Sequence, residues 1–377
     1  MTSVETVNHL HKQLVLWQTL SLAAIAAGGV IVWLFSPLAP GDIAGWAVIS
    51  GLASLIMFRR LDHLLPDNHR PDEAYLLPTL GTGTLLTSLR GLFFCLLIGI
   101  IAVPALPGWT IWLPGALYSI GSIIDFLDGY YARKENHATL LGSRFDLDLD
   151  GFGSLAAPLI GVWIGQLPIW YLLTGLARYV YIALLWLQSQ QGHPIYPLSP
   201  SARRRVLASF HMGFVSVVLF PVYTPPGISA AAGVFMIVFL SSFVRDWLVA
   251  SGALKPDSES YRALAPGLTY LLVDVLPLLA RIMVPLCILS LLLNMPQSLD
   301  TRILVGLYSI SGLMILFGVA GRMGALMCLL TTGGLIRIMP LDVLSSLLIG
   351  MTIWLWLFGT GPFSLWKPEE RILYQRE

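Results

Sequence analysis

Long apolar runs recur along the whole chain, and short polar segments separate them. A transmembrane α-helix needs about 20 apolar residues, whereas β-barrel strands would alternate apolar and polar positions. The pattern therefore predicts an all-α membrane protein that crosses the bilayer many times. The predicted spans lie near residues 14–36, 43–58, 84–104, 109–129, 145–165, 167–189, 206–222, 228–250, 268–294, 302–320, 323–339 and 341–360.

The polar segments between the runs predict how the chain is divided. Residues 1–73 read as a transmembrane hairpin with a cytosolic linker, because Arg59 and Arg60 follow the positive-inside rule. A six-helix unit follows at 74–252, and a polar linker rich in Pro and Gly ends it at 253–267. Residues 268–377 then form a four-span unit, for which we expect a structural, oligomerising or regulatory role.

Composition supports the membrane prediction and excludes other classes. Hydrophobic residues make up 56% of the chain and charged residues 11%, against about 25% charged in soluble proteins. The formal net charge of +1 gives no electrostatic basis for binding nucleic acid. The three cysteines lie in separate apolar runs, so neither a disulfide framework nor a cysteine metal site is expected.

The most unusual stretch of the chain is DFLDGYYARKENHATLLGSRFDLDLD, which holds five aspartates between apolar runs. Asp125 and Asp128 are three residues apart, and Asp146 and Asp150 are four apart, so each pair shares one helix face. Two helices that meet at these faces would bring four carboxylates together. Such a set of oxygen ligands suits Mg²⁺ or Mn²⁺. Asp148 points elsewhere on its helix, and we expect it to be solvated or bonded to a loop.

Two neighbouring residues fit phosphate binding beside the acids. Gly129 has no side chain, so a phosphate can approach the backbone there. Arg133 lies one turn later and offers a planar guanidinium that matches phosphate geometry. The stretch therefore combines ligands for a metal ion with donors for a phosphate.

This spacing resembles the signature D-x-x-D-G-x-x-A-R-x8-G-x-x-x-D-x-x-x-D of the CDP-alcohol phosphotransferase family. The matching residues are Asp125, Asp128, Gly129, Ala132, Arg133, Gly142, Asp146 and Asp150. The resemblance covers about residues 74–252. It implies transfer of a substituted phosphate from a CDP-linked alcohol to an acceptor hydroxyl, with release of CMP. It also implies a two-metal site on the four aspartates, with the fourth, Asp150, as the base.

Other residues of this region are expected around the donor substrate. Small side chains at Gly129, Ala132 and Gly142 leave room for the cytidine, and Arg133 counters the phosphate charge. Thr84, Thr87 and Arg90 stand where the family often shows N-x-x-T-x-x-R, with Thr84 in place of the Asn. Thr87 is therefore a further candidate for binding the CDP-alcohol. Arg90 is either a snorkelling anchor at the membrane surface or a residue near the nucleotide.

Further arginines are candidates for binding the acceptor. Arg178 lies inside an apolar run, where a guanidinium must face a cavity or a partner acid. Arg203, Arg204 and Arg205 begin the next run from its cytosolic side. These three arginines have three possible interpretations: they are membrane anchors, they contact lipid headgroups, or they form a pocket for a phosphorylated acceptor. Our hypothesis is that Arg178 and at least one of the three contact the acceptor.

The expected function is synthesis of a phospholipid from CDP-diacylglycerol and a small water-soluble alcohol. The alternative within the enzyme class is a CDP-amino-alcohol donor with diacylglycerol as acceptor. In a different class, a divalent-cation transporter would also line a path with acids. Gly129, Ala132 and Arg133 favour the enzyme, because a cation path has no need for an arginine beside the acids.

The expected surroundings follow from this function. The partners are a CDP-linked lipid, an alcohol acceptor and the lipid bilayer, with a second copy of the chain as a candidate. We expect a multi-pass protein of a bacterial or archaeal inner membrane, with its active site on the cytosolic side. The C-terminal part resembles the DoxX-like membrane family at G-R-M-G-A-L, residues 321–326, and at residues 359–366. In this part Asp274 and Arg281 are expected to form a structural polar pair.

Overall fold

The structure of the protein is a computed structural model, which describes residues 3–73, 75–198, 202–221, 225–254, 274–294, 299–335 and 343–366. Within these ranges the chain is helical and carries no β-strand, apart from one isolated bridge between Val319 and Trp366. The all-α prediction is thereby confirmed. Most of the predicted linker at 253–267 lies outside the described residues, and the predicted domain borders stay a prediction.

Twelve α-helices occur in the described ranges. They are α1 (Ser3–Phe35), α2 (Pro40–His63), α3 (Gly81–Gly99), α4 (Leu113–Lys134), α5 (Leu140–Trp163), α6 (Leu172–Gln190), α7 (Ala202–Val218), α8 (Pro225–Ala250), α9 (Leu276–Leu293), α10 (Leu299–Phe317), α11 (Gly321–Leu335) and α12 (Val343–Phe358). Each lies close to one predicted span. Six helical stretches, which contain α1, α2, α3, α4, α6 and α9, are long and apolar enough to cross a membrane. The chain is therefore an integral membrane protein with several spans.

The first helix begins much earlier than its apolar run predicts. It starts at Ser3, so the polar residues before the run continue the helix towards the N-terminus. Leu10 and Leu14 explain this extension, because both are buried in one apolar cluster with Leu61 and Leu65. The extra turns are thus held by packing against the end of α2 and the residues after it.

The described chain clusters into two compact units. The first comprises Met1–Val180 with His211–Pro221, and the second comprises Tyr181–Phe210 with Val222–Glu377. In the first unit α3 is the central helix, since α2, α4 and α5 all pack against it.

A single aromatic ring of α3 separates α4 from α5. Phe94 is buried, and its ring lies against Gly121 of α4 and Gly153 of α5. A Cβ at either glycine would come within 2.6 Å of this ring, so only glycine fits at both positions. Gly121 is one turn before Asp125, and Gly153 follows Asp150 closely. The ring therefore helps to set the spacing of the two helices that carry the aspartates.

In the second unit α12 packs against α8, α9 and α11. Phe235 of α8 and Trp356 of α12 contact each other with ring centroids 6.4 Å apart. Arg281 of α9 donates to the carbonyl oxygens of Leu316, Pro362 and Phe363. The described hydrogen bonds of Arg281 thus go to main-chain carbonyls and a serine hydroxyl, whereas the sequence pattern predicts Asp274 as its partner.

Candidate active site

The ends of α4 and α5 bring the predicted aspartates together. Asp125 and Asp128 lie on α4, and Asp146 and Asp150 lie on α5. Carboxylate oxygens of Asp125, Asp128 and Asp146 all lie within 4.8 Å of one another. Asp150 stands outside this group of three, and it is joined to the cluster by an arginine.

That arginine is Arg90 of α3, which is fully buried. Its Nη2 lies 2.6 Å from Oδ1 of Asp146, and its Nη1 lies 3.4 Å from Oδ1 of Asp150. Nη1 also forms an ion pair with Asp125. One guanidinium from the central helix therefore contacts carboxylates of both aspartate pairs. Full burial does not fit an anchor at the membrane surface, and the role of Arg90 near the nucleotide stays a prediction.

The remaining carboxylate of the cluster, that of Asp128, is held by a threonine of α3. Asp128 is buried, and its Oδ2 accepts a hydrogen bond from Thr87 Oγ1 at 2.9 Å. Thr87 lies almost one turn before Arg90, so both side chains leave α3 on the side of the cluster. The T-x-x-R spacing is the sequence signal for this pairing, since it places both groups on one face of α3.

The donor set fits a divalent cation. Four carboxylates face one guanidinium, which leaves the cluster with an excess of negative charge. Hard oxygen ligands from Asp125, Asp128 and Asp146 already lie near the spacing that Mg²⁺ or Mn²⁺ requires. Three side chains from two helices can therefore hold one ion with small adjustments of rotamer.

The predicted phosphate-binding residues lie along the last turns of α4. The guanidinium of Arg133 folds back over Gly129, and a Cβ at Gly129 would lie 3.2 Å from its Nη1. Ala132 lies against Gly83 of α3, where a Cβ on the glycine would come within 2.8 Å of the alanine Cβ. Small residues thus let α3 and α4 approach closely beside the cluster.

Gly142 lies in the first turn of α5. Its N–H donates to Oγ1 of Thr139, the N-cap residue of this helix, at 3.0 Å. A Cβ at Gly142 would also lie 3.4 Å from Oγ1 of Thr84. The cap fixes where α5 starts, and it thereby fixes the positions of Asp146 and Asp150 one and two turns later.

Of the arginines proposed to bind the acceptor, only Arg178 has a side chain that the structure describes. The side chain of Arg178 packs against Gly151 of α5, since a Cβ built on this glycine would lie 3.0 Å from Nε of Arg178. Asp150 directly precedes Gly151, so it is a candidate for the partner acid that the sequence analysis predicts. Arg203, Arg204 and Arg205 begin α7, but their side chains lie outside the described part of the chain.

Asp148 is the one aspartate of the stretch that does not join the cluster. Its Oδ2 accepts from Nε of Arg60 at 2.6 Å, and both side chains are exposed. Asp148 is thus exposed to solvent, as expected, and it also forms an ion pair with the end of α2.

Comparison with known proteins agrees with this geometry. Residues 82–244 match the CDP-alcohol phosphatidyltransferase family. The family prediction made from the aspartate signature is thereby confirmed for these residues. The matched range contains α3, α4, α5, all four clustered aspartates, Arg90 and Arg178. No curated protein and no solved structure matches the chain.

CDP-alcohol phosphatidyltransferases are phosphotransferases that use a divalent metal, so the chain is an enzyme. Its substrates are a CDP-alcohol and an alcohol acceptor. The match favours the enzyme over a divalent-cation transporter. The matched range ends before α9, so it says nothing about the helices that follow.

Proposed function

We propose that the enzyme transfers a phosphatidyl group from CDP-diacylglycerol to the hydroxyl of a small anionic alcohol and releases CMP. The observation that carries the proposal is the gathering of four aspartates around the buried Arg90, with Arg178 beside Asp150. An acceptor that bears a phosphate or carboxylate would find its counter-charge in Arg178.

The four aspartates would hold two ions of Mg²⁺ or Mn²⁺. Asp125, Asp128 and Asp146 supply the nearest set of oxygens, and Asp150 would complete the second position. When bound, such ions neutralise the pyrophosphate and orient the attacking and leaving oxygens. Arg90 then keeps the carboxylates of both helices close together, so that little reorganisation is needed when the ions enter.

The reaction is a displacement at the phosphorus that carries the lipid. The acceptor oxygen forms a bond to this phosphorus, and the bond between phosphorus and the oxygen bridging to CMP breaks. CMP leaves with that oxygen, and the proton of the acceptor hydroxyl goes to Asp150. Asp150 suits this role because its carboxylate lies outside the group of three and is 42% exposed, which leaves it open to an acceptor.

The CDP group would bind along the ends of α4 and α5. Arg133 supplies donors for a phosphate oxygen, and its guanidinium would turn away from Gly129 to let that phosphate approach the backbone. Gly142 and Ala132 are further proposed contacts of the cytosine, beside the place where Ala132 packs against Gly83. Thr87 is a further proposed contact of the CDP group, and it also donates a hydrogen bond to Asp128.

The proposed acceptor pocket lies beside Arg178. Arg203, Arg204 and Arg205, at the start of α7, are further proposed contacts for the charged group of the acceptor. We propose that this side of the protein faces the cytosol of a bacterial or archaeal cell, where soluble acceptors are available. We also propose a homodimer as the assembly of the enzyme in the membrane.

The test is CMP release by the purified protein in detergent, with CDP-diacylglycerol and a panel of acceptors. The panel contains glycerol 3-phosphate, inositol phosphate, serine and diacylglycerol. We expect one anionic acceptor to support turnover. Arg178→Ala should then raise the KM for this acceptor about tenfold or more, with the KM for CDP-diacylglycerol nearly unchanged, because only the acceptor loses a charged contact.

Two outcomes would contradict the proposal. Turnover only with a CDP-amino-alcohol and diacylglycerol would show the alternative reaction of the same family. An unaltered acceptor KM in Arg178→Ala would place the acceptor pocket elsewhere. Arg60→Gln serves as the matched control, since Arg60 is a surface arginine paired with Asp148 outside the cluster.

A further inference from the structure

Residues 64–80 connect α2 to α3, and we name this segment the strap. Residues 135–139 connect α4 to α5, and we name them the site loop. The site loop separates the two aspartate pairs, so its conformation sets where Asp146 lies relative to Asp128. The strap precedes residue 82, where the family match begins.

The strap holds both ends of the site loop. Nε of Arg70 donates to the carbonyl oxygen of Asn136 at 2.9 Å, and Nε2 of His137 donates to the carbonyl oxygen of Thr79 at 3.0 Å. The N–H of Leu140, the first residue of α5, donates to the carbonyl oxygen of His69 at 3.0 Å. Each of these three hydrogen bonds involves a main-chain group of the loop or the strap. They therefore restrain the backbone and not only the side chains.

An ion pair extends this contact onto α5. Asp67 of the strap pairs with Arg144, which lies two residues before Asp146. Asn136 has a φ of 52°, the left-handed conformation in which asparagine often ends a helix, and it closes α4 at the start of the site loop. The restraint on the loop therefore reaches from this turn to the neighbourhood of a candidate metal ligand.

The strap is itself fixed by one buried side chain. Asn68 is fully buried, and its Nδ2 donates to the carbonyl oxygens of Leu77 at 3.0 Å and Thr79 at 2.9 Å. The main chain of Asn68 accepts from the N–H of Leu77 at 2.8 Å. Asn68 thus closes the strap into a loop and presents the Thr79 carbonyl to His137.

The first helix supports the strap from the other side. Nδ1 of His9 donates to the carbonyl oxygen of Pro78 at 2.9 Å, and Oε1 of Gln13 accepts from the N–H of Leu80 at 3.2 Å. The polar first turns of α1 therefore have a structural role, which explains why the helix extends beyond its apolar run. A continuous set of contacts runs from α1 through the strap to the site loop.

We infer that the strap is a positioning element of the metal site, with Asn68 and Arg70 as its positioning residues. Neither residue contacts the aspartates. They act by fixing the site loop, which sets the distance between the α4 pair and the α5 pair. The inference rests on the proposed function for its metal site, and residues that orient metal ligands typically change metal affinity by about 10- to 100-fold when they are lost.

The test uses the full chain in detergent and two measurements. The first is hydrogen exchange of residues 135–140, and the second is the Kd for Mn²⁺ alone, obtained by paramagnetic resonance titration. Asn68→Ala and Arg70→Gln should both speed exchange in the site loop and raise the Mn²⁺ Kd about tenfold or more. Asp62→Asn is the matched control, because Asp62 pairs with His11 and not with the loop. It should change neither quantity.

If Asn68→Ala unfolds the protein because Asn68 is buried, the test relies on Arg70→Gln, since Arg70 is only half-buried. A folded Arg70→Gln variant with wild-type exchange and a wild-type Mn²⁺ Kd would overturn the inference. Failure of the proposed function would give a different experimental result. A wild-type protein that binds Mn²⁺ but releases no CMP from any CDP-alcohol would contradict that function, while the effect of the strap on Mn²⁺ binding would still be measurable.

Discussion

At the scale of single residues, the positive charge of Arg90 allows the aspartates to lie close together. Four carboxylates near the ends of two helices repel one another, and their partial exposure to solvent only weakens this repulsion. Arg90 is fully buried, and it contacts Asp125, Asp146 and Asp150. It therefore supplies a fixed positive charge that is present before any metal ion binds.

Replacing Arg90 tests this role. Arg90→Met keeps an unbranched side chain but removes the charge, so the carboxylates lose their counter-charge. Breaking a buried ion pair costs about 3–5 kcal/mol, and we expect about 2 kcal/mol here, because the carboxylates are partly exposed and solvent screens them. The apparent Tm in EDTA should fall by several degrees. In Mg²⁺ the fall should be smaller, since the metal ion replaces the missing charge.

The comparison between EDTA and Mg²⁺ separates two explanations. A fall in Tm of equal size in both solutions would mean that Arg90 serves only packing. Ser88→Ala is a matched control, because Ser88 is also buried on α3, but its hydroxyl donates to the carbonyl oxygen of Thr84 in its own helix. Its Tm should respond to Mg²⁺ as the wild-type Tm does.

At the scale of helices, the close approach of α3 and α4 sets the geometry of the cluster. Gly83 faces Ala132, and a Cβ at Gly83 would lie 2.8 Å from the Ala132 Cβ and 3.1 Å from the carbonyl oxygen of Asp128. Both distances are shorter than van der Waals contact, so a larger residue must push the helices apart. Phe94 fixes α4 and α5 in a similar way from the same helix.

Gly83→Ala should therefore impair catalysis more than stability. The added methyl group shifts α4 against α3 and moves Asp128 away from Thr87. A displacement near 1 Å in a catalytic site costs about 100-fold in rate, and we expect a loss of CMP release between about 10- and 100-fold. Gly41→Ala is the control, since no atom lies within 4 Å of a Cβ at Gly41 of α2. Equal activity in the two variants would show that the α3–α4 spacing is not critical.

At the scale of the whole molecule, the sequence predicts the helices and the aspartate cluster well. Apolar run length is enough to locate each helix, although it misses the first turns of α1, because the residues there are mostly polar in sequence. The spacing of Asp125 with Asp128, and of Asp146 with Asp150, places each pair on one helix face whatever the rest of the chain does.

Contacts between distant segments could not be predicted in this way. Arg90 reaches three aspartates because α3 is central, and no periodicity of its own segment contains that information. The strap binds the site loop largely through main-chain carbonyl oxygens, which every residue carries. Asp148 pairs with Arg60 across 88 residues of chain. Such pairs depend on which helices are neighbours, and a single sequence does not fix that.

The measurement that tests the central claim most directly is metal-dependent CMP release from CDP-diacylglycerol, compared between the wild type, Asp128→Asn and Asp148→Asn. Asp128 lies in the cluster, whereas Asp148 is an aspartate of the same stretch that pairs with Arg60 outside it. We expect the wild type to require Mg²⁺ or Mn²⁺, and EDTA should abolish its turnover. Asp128→Asn should remain folded but lose turnover, while Asp148→Asn should retain it. Undiminished CMP release by Asp128→Asn, or by the wild type in EDTA, would contradict the assignment of the aspartate cluster as the catalytic metal site.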